Sequence, residues 1–180
     1  MKIMKKVLIV VDMQKDFVDG ALGSREAAAI VPNVAGKIET FDGDGILVTY
    51  DTHYADYMET LEGKKLPVSH CVEGTEGHAL DKNIEKALMG KKHIDVKKNT
   101  FGSFDLPRIL AEQYPGEELE IEVVGLCTDI CVVSNALILR AAFPNTKITV
   151  DAGCCAGVSP ATHEAALATM ACCQIDITGK

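Results

Sequence analysis

Residues 123–142 read VVGLCTDICVVSNALILRAA, an apolar run that passes through a short polar turn into a second apolar run. Residues 119–126 predict a strand that leads into this stretch, and residues 129–143 predict the helix that leaves it. A strand followed at once by a helix is the repeating step of an α/β fold. Two cysteines, Cys127 and Cys131, lie in the turn between them.

The same step recurs on both sides of this stretch. Residues 5–12 form a continuous β-branched run, which is typical of a strand buried on both faces. Ser159 and Pro160 predict a helix start as N-cap and first helical residue. The predicted strands are residues 5–12, 45–51, 93–98, 119–126, 147–152 and 173–178. The predicted helices are residues 26–41, 81–90, 104–114, 129–143 and 159–173. The first of these helices is predicted to be broken or restarted near Pro32, the second to end at Gly90, and the third to be capped by Asp105.

This alternation predicts a three-layer αβα sandwich with a six-stranded, mainly parallel sheet. The 180 residues suggest a single domain spanning residues 1–180. Hydrophobic residues make up 47% of the chain and charged residues 24%, a composition that supports a large core and argues against disorder.

Composition also restricts partners and compartment. The net charge of −8 argues against nucleic acid or an anionic membrane as a partner. The apolar run at residues 7–11 is shorter than a signal-peptide core and is closed by Asp12, so neither secretion nor a membrane span is expected. Seven cysteines, with two adjacent pairs, do not resemble a disulfide framework, which favours the cytoplasm.

Polar and reactive residues follow four successive predicted strands. Asp12 follows the first strand, Asp51 and His53 the second, Lys98 the third, and the segment 127–131 the fourth. In parallel sheets, ligands bind beyond the carboxyl ends of the strands. Exposure of loops explains any single polar strand end, but four in succession indicate a functional site.

Cys131 is the better candidate nucleophile of the two cysteines. It lies at the predicted helix start, where backbone N–H groups and the helix dipole favour a thiolate, whereas Cys127 precedes the turn. Local sequence alone leaves a buried, inert thiol as an equal alternative. Asp12 and Lys98 are of the types that activate a thiol, although Lys97 is a competing cation.

A second cluster lies within residues 51–71, DTHYADYMETLEGKKLPVSHC. The D-x-H spacing places the side chains of Asp51 and His53 on one face of an extended segment. Two imidazoles with carboxylates suit Zn²⁺, Fe²⁺ or Mn²⁺, and the alternative is a charged loop with two incidental histidines. The residues of ligand type are Asp51, His53, Asp56, Glu62 and His70.

Four motifs spread over nearly the whole chain carry a family resemblance. Residues 10–17 read VVDMQKDF, and DTH at 51–53 precedes EGKKLPVSHCVEGTEG at 62–77. Residues 98–104 read KNTFGSF, and residues 125–132 read GLCTDICV. Together these segments resemble the motifs of the isochorismatase-like cysteine hydrolase superfamily and, within it, of the nicotinamidases.

The resemblance implies a catalytic triad of Asp12, Lys98 and Cys131, with Cys131 as the nucleophile, and it selects Lys98 over Lys97. It places Cys127 at the family's alanine position, after a cis peptide bond. The N–H groups of Cys127 and Cys131 are then implied as an oxyanion hole.

The resemblance also implies a divalent transition metal, zinc with iron or manganese as alternatives, and a stacking contact between Phe17 and the substrate. Two departures stand out. The chain has no tryptophan, and Leu66 or a near neighbour occupies the region where many nicotinamidases place one. Glu62 stands where many members use a third histidine. The implied metal ligands are Asp51, His53, Glu62 and His70.

The expected function is metal-dependent hydrolysis of nicotinamide to nicotinate and ammonia through a thioester, as in pyridine nucleotide salvage. The expected partners are a small-molecule amide and further copies of the chain, in a dimer or tetramer. A related hydrolase of another small amide or carbamoyl compound is the first alternative. A non-catalytic small-ligand binding domain is the second, but it would be expected to lack a member of the triad. An isochorismatase would need neither the metal ligands nor the thiol.

Overall fold

The computed structural model describes residues 4–179. Within them, six strands form one sheet in the order β3-β2-β1-β4-β5-β6, and every neighbouring pair is parallel. The strands are β1 (Met4–Val11), β2 (Gly45–Asp51), β3 (His93–Lys98), β4 (Glu118–Leu126), β5 (Lys147–Ala156) and β6 (Asp176–Thr178). The helices are α1 (Lys15–Val18), α2 (Arg25–Thr40), α3 (Leu61–Lys65), α4 (Lys82–Leu88), α5 (Asp105–Gln113), α6 (Val133–Ala142) and α7 (Pro160–Cys172).

Strand β1 shows why the sheet is covered on both faces. Val7, Ile9 and Val11 pack into a core shared with α5, α6 and α7. Leu8 and Val10 pack into a second core shared with α2 and α4. Because successive side chains of a strand point to opposite faces, the uninterrupted apolar run of β1 fills both cores. The predicted three-layer sandwich is therefore confirmed.

The strand order reverses beside β1, which pairs with β2 on one side and β4 on the other. Val11 lies level with Thr49 of β2 and with Gly125 of β4, and Asp51 lies level with Lys98 of β3. The carboxyl ends of four strands therefore meet around the point where the order reverses, which is where such sheets bind ligands.

The predicted break near Pro32 is wrong, because α2 runs without interruption from Arg25 to Thr40. Pro32 donates no backbone hydrogen bond, so the carbonyl of Ala28 loses its partner in the helix. Both Pro32 and Ala28 lie on the exposed face, where water can satisfy that carbonyl.

The structure confirms some of the predicted helix ends and corrects others. Ser159 caps α7 in a capping box with Thr162, and Pro160 is its first residue, as predicted. Asp105 is not a cap: it is the first residue of α5, and its carboxylate pairs with Arg108. The helix expected to end at Gly90 ends at Leu88, and Gly90 follows in the left-handed region with a φ of 77°.

Two other predictions change at the carboxyl edge of the sheet. Strand β5 continues four residues beyond the predicted end at residue 152, and β6 is confined to Asp176–Thr178. The helix predicted at residues 129–143 begins instead as a π-helical turn, Thr128–Val132, before α6. Within residues 4–179, no helix combines the length and apolar character that crossing a membrane requires.

Candidate active site

The predicted catalytic residues meet at the carboxyl edge of the sheet. Lys98 Nζ lies 2.6 Å from Asp12 Oδ2 and 3.5 Å from Cys131 Sγ. Asp12 is fully buried, and Lys98 and Cys131 are only 6% and 5% exposed. A carboxylate, an ammonium and a thiol therefore share a site from which water is largely excluded, and their electrostatic interactions are strong there.

Asp12 is held by Thr49, a residue that the sequence did not single out. The backbone of Asp12 adopts a left-handed conformation with a φ of 47° immediately after β1. Its Oδ1 accepts a hydrogen bond of 2.6 Å from Thr49 Oγ1, and its N–H donates to the Thr49 carbonyl at 3.2 Å. These bonds leave Oδ2 facing Lys98.

Burial and neighbouring charge decide the protonation of this cluster. Burial raises the pKa of the Asp12 carboxyl, which Lys98 opposes. Burial and the Asp12 carboxylate together raise the pKa of Cys131 well above its ordinary value. Burial opposes the charge of Lys98, but Asp12, Cys131 and Asp51 outweigh it and raise the lysine pKa. In the absence of substrate, the site therefore holds Cys131 as a thiol, Asp12 as a carboxylate of raised basicity and Lys98 as an ammonium.

This arrangement corrects the expectation that a helix start by itself favours a thiolate at Cys131. The residue lies within the π-helical turn, whose N-cap Cys127 accepts hydrogen bonds through its carbonyl from the N–H groups of Ile130 and Val132. Burial of the thiol and the neighbouring Asp12 carboxylate both oppose the thiolate form of Cys131. Turns of this type recur at functional sites.

Cys127 lies beside the nucleophile without joining the cluster. The Leu126–Cys127 peptide bond is cis, as the resemblance implied. Burial raises the pKa of the Cys127 thiol to about 12, with Asp129 as the next contributor. All seven cysteines of the chain are free thiols.

The four implied metal ligands form a second cluster next to the first. Their ligand atoms all lie within 4.8 Å of one another. His53 Nε2 lies 2.9 Å from Asp51 Oδ2 and 3.7 Å from Glu62 Oε1. His70 Nε2 lies 3.5 Å and 3.7 Å from the same two oxygens. Asp56, also of ligand type, is exposed and lies outside this group.

Hydrogen bonds from the first motif hold the metal cluster in place. Gln14 forms a pair of 2.8 Å bonds with the backbone of Asp51, donating to its carbonyl and accepting from its N–H. Asp16 Oδ2 accepts from the N–H of Cys71 at 2.8 Å, which fixes the residue that follows His70. The polar residues of the VVDMQKDF motif thus orient metal-cluster residues, a role that the sequence did not reveal.

The donor set fits a divalent ion. Hydrogen bonds from His53 and His70 lower the pKa of Asp51 against the effect of burial, so Asp51 is ionised. Burial and the Asp51 charge raise the pKa of Glu62. Two nearby carboxylates repel each other unless a cation lies between them, and two imidazoles with carboxylates suit zinc, iron or manganese.

A pocket of about 420 Å³ opens between the two clusters. Phe17 lines it, as the resemblance implied, and its ring centroid lies 5.4 Å from that of His70. Leu66, one of the residues that the resemblance placed in the region where many nicotinamidases have a tryptophan, also lines it. Phe101 provides a second aromatic wall that was not among the predicted site residues. The apolar lining consists of Phe17, Leu22, Leu61, Leu66, Phe101 and Ile130, beside Cys127 and Cys131.

All residues of this site lie in the part of the chain that matches a known protein family. Residues 6–179 match the family model described as the isochorismatase domain. The chain therefore belongs to the isochorismatase family, as the resemblance predicted.

Similar proteins within the family include nicotinamidases. The nicotinamidase/pyrazinamidase of Mycobacterium tuberculosis (strain ATCC 25618 / H37Rv) is 29% identical, over 96% of this chain and 97% of that protein. The crystal structure of nicotinamidase/pyrazinamidase PncA from Bacillus subtilis has a TM-score of 0.85 at 28% identity, covering 97% of this chain and 100% of that one. The pyrazinamidase of Pyrococcus horikoshii in complex with zinc has a TM-score of 0.82 at 26% identity, covering 98% and 99%.

Proposed function

We propose that this protein is a metal-dependent cysteine amidohydrolase that converts nicotinamide and water to nicotinate and ammonia. The observation that carries the proposal is the contact of Lys98 with both Asp12 and Cys131, immediately beside four clustered metal-ligand side chains. A thiol with its own base and cation is suited to acyl transfer. The similarity to proteins described as nicotinamidases supports the substrate.

The first half of the reaction forms a thioester. Asp12 takes the proton of the Cys131 thiol, and the sulfur attacks the amide carbonyl carbon. The ammonium of Lys98 stabilises the negative charge during this transfer. The carbonyl oxygen becomes an oxyanion that accepts hydrogen bonds from the N–H groups of Cys127 and Cys131. Asp12 then returns the proton to the departing nitrogen, the C–N bond breaks, and ammonia leaves.

The second half hydrolyses the thioester. Asp12 takes a proton from a water molecule, whose oxygen attacks the carbonyl carbon. The carbon–sulfur bond breaks, and the proton held by Asp12 returns to Cys131. Nicotinic acid leaves and releases its own proton to solvent to give nicotinate. The same carboxylate therefore acts as base and as acid in both halves, and burial that raises its pKa suits both tasks.

Asp51, His53, Glu62 and His70 are the proposed metal ligands. A bound divalent ion would anchor the ring nitrogen of the substrate and activate water. Phe17 and Phe101 line the pocket where the ring would lie, and each offers a stacking contact of about 1 kcal/mol. The cytoplasmic location and the dimer or tetramer stay predictions from the sequence.

The test is ammonia release from a panel of amides by the metal-loaded protein. We expect nicotinamide to be hydrolysed faster than benzamide, which keeps the ring and the amide but has no nitrogen for the metal. Equal rates for the two would contradict anchoring by the metal. Release from an aliphatic or carbamoyl amide, but not from nicotinamide, would favour the related hydrolase. No release from any amide would favour the binding domain.

A further inference from the structure

Asn135 on α6 joins two walls of the pocket through one side chain. Its Oδ1 accepts a 2.8 Å hydrogen bond from the N–H of Ser103. Its Nδ2 donates to the carbonyl of Cys131 at 2.8 Å and to the carbonyl of Phe101 at 3.4 Å. Asn135 is fully buried, so water does not compete for these bonds. One amide therefore ties the nucleophile turn to the segment that follows β3.

That segment, residues 99–104, has no regular structure that fixes its position, since it lies between the end of β3 and the start of α5. Asn99, Thr100 and Phe101 nevertheless line the pocket. The backbone of Gly102 approaches α6 closely, since a Cβ added to Gly102 would lie 2.5 Å from Ile138 Cδ1. The hydrogen bonds of Asn135 hold the segment against α6 at this point.

Phe101 is held less by its own packing than Phe17, the other aromatic wall of the pocket. It is 49% exposed, so burial of its own ring contributes little to its placement. Phe17, in contrast, lies in the core and packs against a sheet face. The position of the Phe101 ring relative to Cys131 is therefore set by the backbone of residues 101–103.

We infer that Asn135 is a positioning residue that sets the distance between the Phe101 wall and the Cys131 nucleophile. It touches neither the reacting thiol nor the proposed acid–base pair, and it acts through the two backbone segments that it joins. The inference rests on the proposed function in that the pocket is taken as the substrate site.

Asn135→Leu removes the donor and the acceptor at similar size. We expect the KM for a ring amide to rise about 5-fold, the order of one lost stacking contact with the ring, while kcat falls less than about 3-fold. Amide hydrogen exchange of residues 99–104, read by mass spectrometry, should become faster, because Ser103 loses its acceptor. Asn135→Ser gives the same two readouts should the leucine variant fail to fold.

Asn33→Leu is a control that makes the same substitution at an exposed asparagine. Asn33 Nδ2 donates a 2.7 Å hydrogen bond to the Gly153 carbonyl, which also joins a helix to a distant backbone segment, but away from the pocket. This variant should leave KM and the exchange of residues 99–104 unchanged. In a double-variant cycle, Asn135→Leu should add little to the KM of Phe101→Ala, because both changes remove the same wall.

The wild-type amide panel is measured first, and the kinetic arm uses the amide that the wild type hydrolyses fastest. Failure with nicotinamide then counts against the proposed function alone. An Asn135 variant with unchanged KM, unchanged exchange in residues 99–104, or a KM effect fully additive with Phe101→Ala would overturn the inference. A fall in melting temperature with KM unchanged would show that Asn135 serves stability only.

Discussion

The catalytic cluster (Asp12, Lys98, Cys131) and the metal cluster (Asp51, His53, Glu62, His70) are neighbours that are built differently. Lys98 is the last residue of β3, Asp12 directly follows β1, and Cys131 lies in the π-helical turn after β4. Of the metal cluster, only Asp51 belongs to a strand, and the other three lie in residues 53–70. A 3.4 Å contact between Lys98 Nζ and Asp51 Oδ1 joins the clusters.

The two clusters differ in how their side chains are held in place. The three catalytic side chains are at most 6% exposed, and each lies at or just beyond the end of a different parallel strand. The metal cluster depends on Gln14 and Asp16 to hold its segments, and the side chain of Glu62 is 22% exposed. Changes in the catalytic cluster should therefore abolish turnover and leave metal binding intact. Changes in the metal cluster should remove the ion and leave the fold intact.

The largest effect is expected for Cys131→Ala. Without the nucleophile no thioester forms, and we expect kcat to fall by about 10⁵-fold or more while metal content is unchanged. Cys127→Ala is the matched control and should keep most of the activity, because alanine keeps the backbone N–H that the proposed oxyanion hole uses. Steady-state ammonia release and elemental analysis check both variants. Similar losses in the two variants would remove the distinction between the cysteines.

Asp12→Asn and Lys98→Met come next. Each should lower kcat by about 10² to 10⁴-fold, because each removes a proton-transfer or charge-stabilising group. Lys97→Met is the control: Lys97 is exposed and pairs with Glu73 at 2.6 Å, outside the cluster. Rates are compared for protein of verified folding by circular dichroism. A near-normal rate for either test variant would exclude that residue from the mechanism.

A His53→Ala/His70→Ala double variant should bind no metal, whereas the wild type should bind one ion per chain. The remaining carboxylates lack the imidazole donors that zinc and iron prefer. Inductively coupled plasma analysis of protein purified without chelator gives the metal content. His93→Ala, which changes a histidine outside the cluster, should retain the ion. Metal retained by the double variant would place the site elsewhere.

Sequence reasoning predicted which polar residues come together at the carboxyl edge of the sheet, because buried strands and their polar ends are visible as patterns. It missed Gln14, Thr49 and Asn135 as supports, since no local pattern tells which polar side chains become buried and bonded across the sheet. It also predicted a regular helix start at Cys131. The π-helical turn found there, and the burial that raises the pKa of the thiol, depend on contacts between distant segments.

The smallest effect is expected in the dependence of kcat/KM on pH. Asp12 must be ionised to take the thiol proton, and burial raises its pKa. As pH falls, kcat/KM should therefore decline at a pH above the ordinary aspartate pKa of about 3.9. Because the pKa of Cys131 is raised well above normal, no increase in rate should appear near pH ~8.5. The profile is measured with excess metal, so that loss of the ion at low pH does not contribute.

Trapping the acyl-enzyme tests the central claim most directly. Metal-loaded protein is mixed with nicotinamide, quenched in acid during turnover, digested and analysed by mass spectrometry. We predict a nicotinoyl adduct on the peptide that contains Cys131, present in the wild type and in Cys127→Ala and absent in Cys131→Ala. A nicotinoyl adduct on any other cysteine, or turnover by Cys131→Ala at the wild-type rate, would contradict nucleophilic catalysis by Cys131.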